Sequence, residues 1–574
     1  MNRPSEHLAW RRRRPSERAR PRGPIFMTNR WLGLGFLSWI TRLALVVALA
    51  GCGDDAAIPT FGQKCAQNSD CKLPLLCVSG RCARKDAGAD AGAQDDAGPN
   101  ARPADVESIT VDRAIVRQGE IDITIKVIGK DLRNPTNIKL GDLKPALKTG
   151  ATSSQFEVSA SVPHAATLGT KDFSFQCHGG VGGKEQLVTV SAISSAVEGD
   201  DAHRGTSDSP FRTYKKALSV AEKGDSIALG KGTYDIAGGE DWALAVPEEL
   251  TISGEGTDTK LVGPGTEGNS VNVDGFTFEG NATIKNLSLG FFRYNAYLDK
   301  PNQKVSFESV ELTGSRSYSI YLTTTAKAAE LTLKDTNVTA CDGQCVYVYA
   351  ENAKLDTSGG RISSLTSYAL SISNKGVTAN IEGTEVAGGG SYNSIYSMQP
   401  GVTLTLTNAT IGSRVDFSSS DETQGVLTID GTIFDVADAS NDQQCLVFRA
   451  NRLIVRKSKF LNCYYGIAQQ GGEATIRDTQ FVDYTYYGYY IVAGKLDLGT
   501  DTESGGNKFS SADGGSKYGL SDQRQPASTQ ITVSGTSFND FIPHAEIRTA
   551  AAGTPVNEPN RYRIERDGNS VAFY

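Results

Sequence analysis

Ala282-Thr283-Ile284-Lys285-Asn286 is followed by Val305-Ser306-Phe307-Glu308-Ser309 and Leu331-Thr332-Leu333-Lys334-Asp335, and the same phrase returns as Ala474-Thr475-Ile476-Arg477-Asp478 and Ile531-Thr532-Val533-Ser534-Gly535. Its form is apolar, polar, apolar, polar, turn residue, at a period of roughly twenty-four residues between Ala282 and Phe538. Three positions beyond the turn residue stands another apolar side chain: Leu289, Leu312, Val338, Ile362, Val386, Ile411, Phe434, Phe460, Phe481 and Phe538. Two-residue alternation puts the first and third residues of a phrase on one face of a short strand, and a fixed period sets each strand beside its counterpart one coil later. The fifth place holds Asn286, Asp335, Gly359, Gly383, Asn408, Gly431, Asp478 or Gly535 in most coils. These residue types tolerate the positive φ of a tight corner. A corner at a constant place predicts an all-β fold, a right-handed parallel β-helix. A leucine-rich repeat would need a denser Leu pattern with a helical or Asn-anchored segment.

The surrounding composition agrees. A chain of 574 residues with 61 glycines suits an elongated all-β protein of several domains. The formal charge of −7, with both signs interspersed after residue 30, lacks the basic stripe of a nucleic-acid surface, so no nucleic-acid partner is expected.

Residues 1–51 read as a targeting segment whose better start is Met27: Arg30, an apolar stretch interrupted by Arg42, then Leu43 to Ala50 and Leu49-Ala50-Gly51-Cys52. The last four residues resemble a bacterial lipobox. That resemblance implies cleavage before Cys52 and its acylation by a thioether-linked diacylglycerol and an amide-linked chain such as palmitate, which holds the protein on a lipid membrane without spanning it. Gly53 follows, not the Asp of inner-membrane retention, so the expected location is the outer membrane, as an exported lipoprotein of the envelope.

Residues 52–84 hold Cys65, Cys71, Cys77 and Cys82, read as two disulfides in one of three connectivities. A zinc site is the rival reading, but no CxxC pair is present. From 85 to 105 the text is Asp, Ala and Gly with Pro99 and Pro103, a flexible acidic tether. Between 106 and 195 come alternating runs such as Ile121-Asp122-Ile123-Thr124-Ile125 and Phe173-Ser174-Phe175, at the spacing of a β-sandwich. The phrase from Gly119 to Gly129, with Ile138-Lys139-Leu140-Gly141-Asp142 and Val162-Pro163, resembles the IPT/TIG branch of immunoglobulin-like domains, which implies a spacer or adhesive role. Cys177 reads as a buried free thiol.

From Glu198 the wording changes again: Gly199-Asp200-Asp201, Gly205-Thr206-Ser207-Asp208-Ser209-Pro210-Phe211-Arg212-Thr213, Lys223-Gly224-Asp225-Ser226-Ile227 and Gly232-Thr233-Tyr234. This is similar to the opening of DUF1565 proteins, a family of pectin-lyase-like β-helices, and Leu496-Asp497-Leu498-Gly499 with Gly505-Gly506-Asn507-Lys508-Phe509 resembles a later phrase of that family. The β-helix is placed at 197–574. Ser209 as N-cap, Pro210 in the first turn and a face of Phe211, Tyr214, Leu218 and Ala221 predict an amphipathic helix over 209–223 that plugs the end of the solenoid, closed by Gly224. Asp200, Asp201 and Asp208 are the candidate Ca²⁺ ligands, against the commoner reading of turn carboxylates bonding their own backbone. No other cofactor is expected.

Enzymes of this shape need clustered carboxylates, or a base beside an acidic Ca²⁺ site, at matching places in neighbouring coils. Asp342, Asp416, Asp435, Asp438 and Asp442 share no register, and His164, His178, His203 and His544 show no metal or triad spacing, so no catalytic residue is assigned. Tyr318, Tyr368, Tyr465 and Tyr487 occupy one template position, joined by Tyr464, Tyr484, Tyr486, Tyr489 and Tyr490. A row one coil apart is either a platform for sugar rings or a protein, or an aromatic ladder inside the solenoid; parity places Tyr318 on the face of Ile320 and favours the ladder. Cys341 with Cys345 and Cys445 with Cys463 are two further disulfide candidates. The expected function is non-catalytic display of a β-helix for polysaccharide or a surface protein; the alternatives are a lyase or glycoside hydrolase with a divergent site, and a structural envelope component.

Overall fold

The phrase becomes a strand in every coil, and the strands pair in parallel, residue for residue: Ile284 lies beside Phe307, then Leu333, Thr357, Ile381, Leu406, Ile429, Val455 and Ile476. The computed structural model describes residues 104–538 apart from gaps at 149, 179, 266–271, 437–443, 501, 511–517 and 525–530, together with 75–78, 81–84, 546–547, 564–566 and 569–570. The chain divides into two compact units at Asp95/Asp96, within the expected tether. In the first unit Leu75–Val78 and Arg81–Arg84 pair as an antiparallel hairpin with Cys77 opposite Cys82. The targeting segment, Cys52, Cys65, Cys71, the side chains of Cys77 and Cys82, and His544 lie outside the described residues.

The second unit is a parallel β-solenoid preceded by a two-sheet domain. Each coil of the solenoid carries a phrase strand, a short strand and a third strand, as in Lys304–Glu308, Glu311–Thr313 and Tyr318–Leu322. The short strands stack into a 13-stranded sheet. Their central residues, Leu289 through Phe538, are each no more than 1% exposed. The last of them form an interior ring ladder, with Phe434, Phe460, Phe481, Phe509 and Phe538 at successive centroid distances of 4.5, 5.0, 4.4 and 4.8 Å. Each such fully buried ring contributes about 1.5–3 kcal/mol of transfer energy.

All eight corner residues read from the sequence have positive φ, from 48° at Asp335 to 72° at Gly535, and Ser309 and Lys457 adopt it in the coils that lack Gly, Asn or Asp there. Both solenoid disulfides are formed, Cys341–Cys345 and Cys445–Cys463. Cys177 is buried and unpaired, its thiol donating to the Gly180 carbonyl at 3.5 Å.

Residues 106–191 form two four-stranded sheets around one core. One contains Ile115–Arg117, Gly180–Ser191, Gly169–Cys177 and Thr136–Leu140; the other contains Val106–Val111, Ile123–Gly129, Gln155–Ala160 and Ala146–Leu147. Phe156 of the second sheet meets Phe175 of the first edge to face at 4.9 Å. The next strand, Ile193–Ser195, already pairs with Ser226–Leu229 of the solenoid, so the β-helix begins earlier than position 197.

The end helix, α1, runs only from Tyr214 to Val220, with Thr213 as N-cap instead of Ser209. The physical reason is a competing ladder: the Phe211 amide donates to Ser194 O and the Ala196 amide to Phe211 O, which holds 209–211 extended against the first solenoid strand. Glu240 takes the free amides of Tyr214 and Lys215 at 2.7 and 2.9 Å, satisfying two orphan donors of the helix start. The apolar face is as expected, since Phe211, Tyr214, Leu218 and Ala221 are all buried in the solenoid core.

Polar contacts fasten the two-sheet domain to this first coil. Glu120 receives Arg113 at 2.6 Å and Arg204 at 2.8 Å, Gln118 accepts the Ser226 amide at 2.7 Å, and His164 Nδ1 lies 2.7 Å from Asp225. Asp225 is fully buried, and that burial pushes its pKa up against the hydrogen bonds from Glu222 N and His164.

Candidate functional site

The third strand of each coil carries the tyrosines. In Tyr294–Leu298 and Tyr318–Leu322 the residue after the first tyrosine turns inward: Asn295 and Ser319 are buried, and Asn295 Nδ2 donates to Ser319 Oγ at 2.9 Å. Ser319 and Ile320 are therefore buried in succession, alternation is broken between them, and Tyr318 faces out. The interior-ladder expectation is corrected for Tyr318, Tyr368 and Tyr465, which are half-buried on the outer surface. Tyr487 continues their column beside Tyr465 but is 6% exposed. Tyr484 and Tyr489 belong to the core, the Tyr489 hydroxyl donating to Gln469 Oε1 at 2.9 Å.

A second column runs beside the first and was missed in the sequence. It passes through Tyr297, Tyr321, Tyr347, Ser371, Tyr396, Asp416, Val447, Ala468 and Tyr490, and of these Ser371, Val447 and Ala468 are buried. Its signal is a tyrosine three residues after the first, as in Tyr294 and Tyr297, Tyr318 and Tyr321, or Tyr487 and Tyr490. With Tyr349, Tyr392, Tyr464 and Tyr486 at the margins, fourteen of the chain's 21 tyrosines gather on this one side. Many stack along the solenoid axis: Tyr294 on Tyr318 at 5.7 Å and 7°, Tyr321 on Tyr347 at 5.4 Å and 11°, Tyr368 on Tyr396 at 4.8 Å and 12°. The spacing is near the strand-to-strand rise of about 4.8 Å, so the backbone repeat itself sets the ring repeat.

Burial among its neighbours pushes the Tyr321 phenol up to about 12, and burial likewise raises those of Tyr297, Tyr318, Tyr396 and Tyr465. These phenols are neutral at pH 7, with hydroxyls that donate and accept. Asp416 enters the column directly after Tyr396, in a register the sequence did not disclose. Its Oδ1 accepts Ser418 Oγ at 2.9 Å, and Arg414 stands 3.7 Å from Oδ2 while donating to Asn393 Oδ1 at 2.9 Å. Desolvation is the main influence on the Asp416 carboxyl and holds its pKa above the ordinary value, against Ser418 and Arg414.

The candidate Ca²⁺ ligands do not converge. Asp200 accepts the Ala202 amide, Asp201 the amides of Arg212 and Thr213 and the Thr213 hydroxyl, and Asp208 the Thr206 hydroxyl. Among the described residues no group of three or more His, Cys, Asp or Glu is arranged to hold a metal ion, and no helix is long and apolar enough to cross a membrane.

The family profile described as "Protein of unknown function (DUF1565)" matches residues 197–533. The chain belongs to the DUF1565 family. The DUF1565 region takes in α1, the corners from Asn286 to Asp478 and the whole tyrosine side. Solved structures similar to this DUF1565 chain include the catalytic unit of a thermostable GH87 α-1,3-glucanase from Streptomyces thermodiastaticus strain HF3-3, at 12% identity and TM-score 0.38, covering 72% of this chain and 89% of that one. Pectate lyase Pel9A matches at 11% identity and TM-score 0.29, covering 60% and 79%, and a rhamnogalacturonan lyase at 12% and 0.21, covering 59% and 77%. No curated relative matches the sequence.

Proposed function

We propose that this DUF1565 protein is an exported, lipid-anchored protein that binds polysaccharide through its tyrosine side without cleaving it. The observation that carries the reading is the gathering of fourteen tyrosines on one outer side of the solenoid. Tyrosine offers apolar ring surface with a polar tip, which suits a ligand whose own surface alternates C–H and O–H groups. Paired-carboxylate hydrolysis needs a second carboxyl within roughly 5–10 Å, and the two residues beside Asp416 in its own column, Tyr396 and Val447, do not supply one. Export is supported by the lipobox-like Leu49-Ala50-Gly51-Cys52 and by two disulfides within the solenoid, which persist in oxidising compartments. The acidic tether and the two-sheet domain, read as an IPT/TIG-like spacer, would hold the solenoid away from the lipid.

The test is a glycan array probed with the soluble ectodomain and with its Tyr321→Ala/Tyr347→Ala and Tyr465→Ala variants, each checked for folding by circular dichroism. Retention of a polysaccharide that folded variants lose supports the reading. Binding to protein partners with no glycan retained would replace it, and shortening of a bound polysaccharide would overturn its non-catalytic part. Cys52→Ala should move the full-length protein from the outer-membrane to the soluble fraction.

A further inference from the structure

Charge and length narrow what the tyrosine side can accept. The arginines that border it already have partners: Arg293 grips Asp274 at 2.7 and 2.6 Å, Arg316 pairs with Asp342, Arg449 meets Glu422 at 2.7 Å, and Arg414 donates to Asn393 beside Asp416. A polyanion would need cations freed for it, and here each would first have to leave a carboxylate or amide.

Asp416 has the opposite character. An ionised carboxylate has about four acceptor sites. Ser418 occupies one at 2.9 Å, and Arg414, at 3.7 Å, lies beyond good hydrogen-bond reach. What remains is acceptor capacity on a carboxylate that is 17% exposed beside the Tyr396 ring, suited to donors and unfavourable to another anion.

The column also has length. From Tyr297 to Tyr490 it covers eight coil steps, or about 38 Å at a rise of about 4.8 Å. Tyrosines fill one end as Tyr297, Tyr321 and Tyr347, return at Tyr396 and close the other end at Tyr490, with Ser371, Asp416, Val447 and Ala468 at the remaining positions. A short ligand can reach one end only.

We propose that the tyrosine side binds an uncharged, hydroxyl-rich polysaccharide lying along the solenoid axis, with Asp416 accepting hydrogen bonds from sugar hydroxyls directly beside Tyr396, between the tyrosines at the two ends of the column. This rests on the polysaccharide reading above and adds its charge class, its direction and its polar anchor. The two ends act as linked sites, so polymer affinity exceeds that of either half.

The test is affinity electrophoresis of the folded ectodomain through gels containing a neutral glucan (laminarin or hydroxyethylcellulose) or an acidic polymer (polygalacturonate or alginate), at low and moderate salt. The expected result is retardation by a neutral polymer with little salt dependence, weakened at least about tenfold by Asp416→Asn. Tyr321→Ala and Tyr490→Ala, one from each end, should each reduce polymer binding, whereas a short oligosaccharide should lose affinity with only one of them. Preferential, salt-sensitive binding of the acidic polymers would overturn this inference while leaving polysaccharide binding intact. So would unchanged neutral-glucan affinity in Asp416→Asn with the circular dichroism of the folded protein. Retention by neither class would remove the underlying reading itself.

Discussion

Asn408 Oδ1 lies 2.3 Å from the point a Cβ on Gly431 would occupy, one coil further along the same corner, where Gly431 has φ 61°. Asp478 and Gly506 repeat the relationship at 2.2 Å. The polar side chain of one coil fills space that the next coil leaves open by having no side chain. Gly431→Ala therefore meets both a left-handed backbone and a clash, and should destabilise the solenoid by roughly 1–3 kcal/mol in urea unfolding. Adding Asn408→Gly removes the clash alone and should restore part of the loss; no restoration would mean that the backbone carries the whole cost.

The two solenoid disulfides close loops of different length, with sequence separations of 4 for Cys341–Cys345 and 18 for Cys445–Cys463. Loop-closure entropy assigns about 2 kcal/mol to the first and about 3 kcal/mol to the second. The double Ser variant of Cys445 and Cys463 should lose more stability than that of Cys341 and Cys345, measured by denaturant midpoints under non-reducing conditions.

Alkali should act on the tyrosine side. Tyr321 is raised to about 12 and Tyr297, Tyr318, Tyr396 and Tyr465 are raised above the ordinary value of 10.0. A folded pKa above the unfolded one contributes stability in full below the unfolded value and loses it as pH rises through the folded value. Absorbance at about 295 nm should show phenols ionising late, well above pH 10, with the melting temperature falling across the same window. Titration of every phenol near its ordinary value would contradict the stacked arrangement.

Asp416 gives a pH dependence of opposite use. Its folded pKa is raised above the ordinary 3.8, so its ionised form is a stability cost at neutral pH, absent when acid protonates it. Asp416→Asn should melt slightly higher than wild type at pH 7. Neutral-glucan binding, which needs the carboxylate as acceptor, should be full above the folded pKa and fall as acid takes pH through it, while Asp416→Asn stays level. A wild-type affinity independent of pH from 7 to the ordinary carboxylate range would contradict the anchoring role.

At the junction, Glu120→Ala leaves Arg113 and Arg204 without their shared carboxylate. Breaking a fully buried pair costs about 3–5 kcal/mol; Arg204 is 38% exposed, which argues for about 2 kcal/mol here. The Ser226 amide, held by Gln118 across the junction, should exchange faster in that variant than amides of the central coils.

The phrase at Ala282 was sufficient for the solenoid because its information is local and repeated: an alternation, then a residue able to take positive φ at Asn286, Asp335 or Gly431. Once the period is fixed, Phe460 must lie on Phe434, and Cys463 comes within bonding reach of Cys445. The extent of α1 was less legible, because Ser209 and Pro210 read as a helix start while a ladder to Ser194 and Ala196 holds that segment extended.

By itself, then, the sequence determined the coil, its corners, its disulfides and the apolar column inside it. Only the tertiary structure decided which way the tyrosines face. Ser319 turns inward within the strand Tyr318–Leu322 and reverses the parity that would have buried Tyr318. It also decided that Asp416 stands in their column, because coil lengths vary and register is fixed by the strand beside it instead of by counting residues. The fastening of Glu120 to Arg204 and of His164 to Asp225 was likewise beyond the sequence, since those partners meet across 84 and 61 positions where two domains pack.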